Sequence, residues 1–193
     1  VPYKTYLTNN SPIDYHYVAS GALVFSRNSP GATGPAIRLL IVQRAAHDSM
    51  PNRWETPGGA CDPEDQSILH AVARELWEEA GLVATSIGPR VGGDQVFLSG
   101  SGKRVGKFSF LVDVQGNVDR KMADAEGEDG DMQVKLDPNE HQRYLWVTED
   151  EAREGHTHDE QRNVIELAFT TKEQRDVVLE GFKVWRELYG TPA

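Results

Sequence analysis

The run that most constrains this chain is Arg74-Glu75-Leu76-Trp77-Glu78-Glu79-Ala80-Gly81-Leu82. Its spacing predicts a helix over 67–80, with Ser67 as N-cap and Gly81 as the C-terminal stop. Glu75, Glu78 and Glu79 stand at i, i+3 and i+4. At about 100° per residue they share one arc of the helix. Leu69, Val72, Leu76 and Ala80 fill the neighbouring arc, which can seat the helix on a sheet. Clustered like charges cost a few tenths of a kcal/mol per i,i+4 pair. A solvated helix face is the plain alternative, because charge runs usually sit in water. A divalent cation reverses the sign of that cost: Mg²⁺ and Mn²⁺ are hard ions that take carboxylate oxygens together with substrate phosphates.

Short apolar runs and helical stretches interleave around this segment. Strands are expected at Val18–Ser26, Ile37–Arg44, Arg53–Thr56, Asp94–Leu98, Gly106–Val114 and Tyr144–Val147. A Gly/Pro loop spans 28–35, and a long acidic loop spans 116–140. Thr148 opens a short helix with capping-box spacing to Glu151. A last helix covers Lys172–Tyr189, and its stripe Val178, Phe182, Trp185, Tyr189 reads as core. Interleaved elements point to an α/β layered domain.

Charge and cysteine narrow the function. With 20 Lys plus Arg against 30 Asp plus Glu, the 193-residue chain carries −10. That excludes a broad nucleic-acid or anionic-membrane surface, which needs basic patches. No apolar stretch approaches the roughly 20 residues of a membrane span, and VPYKTYLTNN lacks the pattern of a secretory leader. The lone Cys61 excludes an internal disulfide, so a reducing, cytoplasmic compartment is expected. Cys61 itself, with no adjacent His or Lys, reads as incidental. His156 and His158 read as solvent-facing.

The run Arg74–Leu82, preceded by Trp54-Glu55-Thr56-Pro57-Gly58-Gly59, resembles the Nudix hydrolase family. The family box is Gly, five residues, Glu, seven residues, then Arg-Glu-apolar-x-Glu-Glu-x-Gly-apolar. The second half matches without exception. The first half departs from it. Counting from Gly59 places the loop acid on Asp65, and counting back from Arg74 places it on Gln66. The loop is one residue longer, and Glu64 or Asp65 can stand in. The resemblance implies one Nudix domain over 1–193, with its core at about 15–190. The implied fold is α/β (α+β), an α/β/α sandwich with a mixed central sheet.

It also implies site residues. Glu75, Glu78 and Glu79, with the Gly59 carbonyl, would hold Mg²⁺ or Mn²⁺, and Glu75 is either ligand or base. Arg74 would orient the carboxylates. Family members often add an acid from outside the box. Glu140 is the first candidate here, as ligand or base, and His141 the second. Arg44 and Arg53 are the candidates for phosphate contact, ahead of Lys103, Lys107 and Arg143. Trp54, Phe97 and Phe108 can cover a substrate, although buried aromatics mostly pack.

The expected reaction is metal-dependent hydrolysis of a diphosphate linkage in a nucleoside diphosphate derivative. A non-nucleotide diphosphate such as a prenyl diphosphate is the second reading. A binding or regulatory module of the same fold is the third. The expected partner is a small molecule, and the resemblance leaves a homodimer open.

Overall fold

The computed structural model describes residues 2, 4–5, 15–26, 36–115 and 133–190. Strand β1 (Tyr17–Ser26) runs parallel to β5 (Arg104–Val114), from Tyr17 opposite Val105 to Val24 opposite Val112. Strand β4 (Ala84–Leu98) pairs antiparallel with the far edge of β5. Strand β2 (Arg38–Arg44) pairs with β6 (His141–Val147) along its length. Its other edge is shared. Phe25 and Ser26 of β1 take one end, and β3 (Trp54–Glu55) takes the other. The result is a six-stranded mixed sheet.

The shared edge shapes the site. Where β1 leaves β2, the segment after β3 is laid along it. Ala22 N donates to Pro57 O, Ser20 N to Gly59 O and Cys61 N to Val18 O, each at 2.8 Å. The Pro-Gly-Gly segment is therefore tied into the sheet by backbone bonds.

Helix α1 (Ile68–Ala80) covers one face of the sheet. Ser67 Oγ accepts from His70 N, and Gly81 closes the helix at φ 68°. Val72, Leu76 and Ala80 pack on Ala22, Val24, Leu40, Val112 and Trp146. The opposite face buries Leu23, Phe25, Leu39, Ile41 and Leu111 under Val178, Phe182 and Trp185 of α3 (Lys172–Tyr189). Ala152 of α2 (Glu149–Glu154) joins that layer. Alternate residues of β1 thus feed the two layers, as a period of two requires. The architecture is the α/β/α sandwich with a mixed sheet that the resemblance implies. A hairpin of β7 (His156–His158) and β8 (Val164–Glu166) completes the described elements.

The sequence pattern misplaces several boundaries. Strand β4 starts at Ala84 and not at Asp94, because three register shifts break its alternation. Strand β6 starts at His141, three residues before the apolar run at Tyr144. Leu69 is exposed, and Ile68 takes the buried place at the start of α1. Tyr189, expected at the end of the core stripe, is 41% exposed. The loop over 28–35 and residues 116–132 of the acidic loop lie outside the described residues.

Candidate active site

The loop before α1 is organised by Asp65. Its buried carboxylate receives Arg74 Nε at 3.1 Å and Arg74 Nη2 at 2.9 Å. It also accepts from Asp62 N, and His70 Nδ1 lies 2.8 Å away. The Arg74 guanidinium hydrogen-bonds to Asp65, and this holds its carboxyl at about 2, well below the usual range. Arg74 Nη1 also donates to Glu75 Oε1 and Glu78 Oε2, both at 2.9 Å, and Nη2 to Ala60 O at 3.0 Å. One fork thus fixes the loop and aims two carboxylates. The extra loop residue is absorbed, and Asp65, as the forward count gives it, is the anchor of the arginine.

Glu79 is buried at 4% exposure and accepts from Gly58 N at 2.6 Å. Burial, and the charges of Glu55 and Glu75, push its carboxyl well above the ordinary value. Burial likewise raises Glu75. Gly58 adopts φ 146°, and a Cβ there would lie 2.2 Å from Ser20 O. A Cβ on Gly59 would lie 2.7 Å from Glu75 Oε2. The two glycines let the loop pass between β1 and the carboxylates.

A third segment closes the site from the far side of α1. Lys135 N donates to Ala80 O at 2.8 Å and Asp137 N to Glu79 O at 3.3 Å. Asp137 O then accepts from His141 N at 2.9 Å. Clamped this way, Glu140 and His141 bring ligand atoms within 4.8 Å of each other and of Glu79. Glu140 is exposed; His141 is 2% exposed, and neither ring nitrogen has a hydrogen-bond partner among the described residues. His141 Nε2 lies 3.6 Å from Glu55 Oε1, too long for a normal hydrogen bond. A buried carboxylate, an exposed one and an orphaned imidazole converging on one point form a donor set that a divalent ion fits.

Beside this cluster a cavity of 430 Å³ opens between the end of β4, the loop after β2 and the start of α3. Glu55, Gln95, Lys107 and Gln174 are its buried polar residues. Lys107 Nζ donates to Gln174 Oε1 at 3.0 Å, and Gln174 Nε2 to Thr56 Oγ1 at 3.2 Å. Gln95 Nε2 donates to Ser109 Oγ at 3.3 Å. Arg44 Nη1 donates to Glu55 Oε1 at 2.5 Å. Burial opposes ionisation of Glu55, but His141, Lys107 and Arg44 outweigh it and hold the carboxyl below its usual value.

A model of the NUDIX domain matches residues 17–168. The chain belongs to the Nudix family. An Escherichia coli CTP pyrophosphohydrolase is 40% identical over 63 residues, covering 33% of this chain and 45% of that protein. A putative 8-oxo-dGTP diphosphatase 2 of Mycobacterium tuberculosis is 37% identical over 73 residues, covering 37% of this chain and 50% of that protein. The matched segments thus span about half the length of these relatives. Among solved structures, the NUDIX domain of Shewanella oneidensis NrtR, complexed with ADP ribose, superposes with a TM-score of 0.57. The two are 16% identical, and the match covers 95% of this chain and 99% of that one. This likeness carries the Nudix fold alone.

The expected Nudix residues divide by position. Arg74, Glu75, Glu79, Gly59 and Glu140 gather around the cluster. Glu78 lies on the exposed side of α1, 47% exposed and held by Arg74. Arg44 lines the cavity, but its guanidinium is committed to Glu55, Asp48 and Ser49. Arg53 is exposed. Trp54 and Phe108, expected against substrate, are instead core residues at 0% and 2% exposure. Trp54 Nε1 donates to Glu166 O, which satisfies its polar edge inside the core. Burial pushes the Cys61 thiol up to about 12, with Asp65 adding to it, so it stays protonated. Glu55, Gln95 and Gln174 are absent from the sequence-derived set. Glu55 lies in the two-residue β3 between Arg53 and Thr56, where nothing in the local pattern marks it as buried.

Proposed function

We propose that the chain hydrolyses a diphosphate linkage in a nucleoside diphosphate derivative, with Mg²⁺ or Mn²⁺ bound. The observation that carries the reading is the convergence of Glu79, Glu140 and His141 beside Glu75 and the cavity. The names of the two sequence relatives, a CTP pyrophosphohydrolase and a putative 8-oxo-dGTP diphosphatase, support a nucleotide substrate. Glu79, Glu140 and His141 would hold the ion, and the Gly59 carbonyl is a further candidate. The ion supplies neutralisation of the diphosphate and a lower pKa for nearby water.

The remaining work falls to this chain's own groups. Glu75 is the base in this reading, taking a proton from the attacking water on a carboxylate oxygen. Burial raises its pKa, which moves a carboxylate toward the working range of a general base. Arg74 keeps that carboxylate aimed. Water attacks phosphorus, the bridging P–O bond breaks, and the leaving phosphate departs with the electron pair. A homodimer and a cytoplasmic setting are compatible with this reading. No described helix is long and apolar enough to cross a membrane.

Chromatographic detection of the monophosphate products formed from a panel of nucleoside diphosphate derivatives, prenyl diphosphates and dinucleotides tests the reading. Glu79→Gln is expected to lower kcat by more than about a hundredfold, since losing a group that holds the ion directly costs more than losing one that only orients such a group. Full activity in that variant, or products only from non-nucleotide diphosphates, defeats the proposal.

A further inference from the structure

The cavity beside the carboxylate cluster is lined by Lys107 and Glu55, a donor and an acceptor together. Lys107 is 8% exposed, and Gln174 Oε1 is its hydrogen-bond acceptor at 3.0 Å. An ammonium carries three donors and no acceptor. Its charge also acts on Glu55, which lines the same cavity. Paired with Arg44 at 2.5 Å, Glu55 is an ionised carboxylate that only accepts. A fixed donor and a fixed acceptor thus line one cavity. Burying them is costly unless their remaining bonding capacity is used.

The space for this pair is built in. A Cβ on Gly21 would lie 2.9 Å from Ser109 Oγ and 3.2 Å from Lys107 Cε. Gln174 is itself 2% exposed and bridges Lys107 to Thr56, which fixes the ammonium to both α3 and the segment after β3. The exposed part of the lining is mostly apolar, with Met50, Val96, Phe97 and Leu98 beside Ser49 and Glu173. Phe97 of β4 is 37% exposed and Met50 is 49% exposed. Met50 holds a backbone φ of 53°, rare for a residue with a side chain. Apolar walls over a few fixed polar groups are the composition of a small-molecule pocket.

We infer that this cavity is a nucleobase subsite, and that Lys107 and Glu55 select bases presenting a carbonyl oxygen next to a ring N–H. The inference rests on the nucleotide-hydrolase reading above. Lys107 donates to the carbonyl, and Glu55 accepts from the adjacent N–H. Guanine and uracil present that edge. Adenine presents an amino group next to a bare nitrogen, and cytosine flanks its carbonyl with a bare nitrogen. The apolar rim of Phe97 and Met50 covers the flat face of the base.

Calorimetric titration with GMP, UMP, AMP and CMP tests this without any turnover. The wild-type chain should bind GMP and UMP at least about tenfold tighter than AMP and CMP, the scale of one good donor–acceptor pair. Lys107→Met should bring the four affinities together by weakening GMP and UMP. Gln174→Glu keeps Lys107 and the pocket shape but ties the ammonium to a carboxylate, and should have the same effect. Phe97→Ala should weaken all four alike and leave the ratios unchanged. Equal loss for all four in Lys107→Met would make the ammonium a phosphate contact and overturn the inference. So would equal affinities in the wild type. Base-selective binding without hydrolysis would defeat the reaction reading alone, and hydrolysis without base selectivity would defeat this inference alone.

Discussion

Asp65 Oδ1 and Oδ2 face Arg74 Nε and Nη2 at 3.1 and 2.9 Å, a two-point pair across the loop that precedes α1. The pair matters because the same guanidinium holds Glu75 and Glu78. Loss of the loop acid therefore reaches the carboxylates without touching them.

Asp65→Asn should destabilise the chain by about 1–3 kcal/mol, the cost of a weakened buried charge-assisted bond. The sign of its pH dependence follows from the lowered pKa. The Asp65 contribution is complete above the unfolded value near 3.9 and is lost as pH falls through about 2. The stability difference between wild type and Asp65→Asn should thus shrink between about pH 4 and pH 2. Urea melts across that range measure it. A difference that stays constant with pH would show that the pair does not form.

Metal should stabilise the wild-type fold. At a hundred times its Kd, Mn²⁺ or Mg²⁺ is expected to add about 2.7 kcal/mol. Glu79→Gln should lose most of this gain. Without metal the variant should melt no lower than wild type, because the substitution removes a buried charge that Glu55 and Glu75 disfavour. Thermal melts with chelator and with added metal separate the two effects.

His141→Gln should weaken Mn²⁺ more than Mg²⁺. Imidazole suits later first-row ions, whereas Mg²⁺ prefers oxygen. A loss of about tenfold in Mn²⁺ affinity, read by the paramagnetic signal of the free ion, is the expected outcome. An unchanged Mn²⁺ affinity would leave His141 as a partner of Glu55 only.

Gly59→Ala places a Cβ 2.7 Å from a carboxylate oxygen at the far end of a side chain. Glu75 can swing aside, so the stability cost should stay below about 1 kcal/mol. Activity should nevertheless fall about tenfold or more, because misplacing a reacting group is expensive. Parallel kcat and melting measurements test the split; a large loss of stability with intact kcat would contradict it.

The helix carboxylates were legible because their relation is local. Glu75, Glu78 and Glu79 are three and four residues apart, and helical period alone puts them together. Glu140 was legible only through resemblance, since its approach to Glu79 depends on the bonds of Lys135 and Asp137 to the end of α1. Lys107, Gln95 and Gln174 come from β5, β4 and α3, and nothing in the spacing of three separate elements brings them to one cavity. Trp54 and Phe108 show the converse. Both stand beside functional segments in the chain, yet burial in the core is what their size favours.

The parallel pairing of β1 with β5 sets the order in which this chain can assemble. Tyr17 meets Val105 only after every residue of β2, β3, α1 and β4 has been passed over. Contacts of that separation come at a high loop-closure cost and make folding slow. Lys107 enters the cavity through this pairing, opposite Ala19. Helix α1, with its own caps, can form early, whereas the floor beneath the base subsite is completed late. In a refolding experiment, recovery of nucleotide binding should lag behind recovery of helical signal.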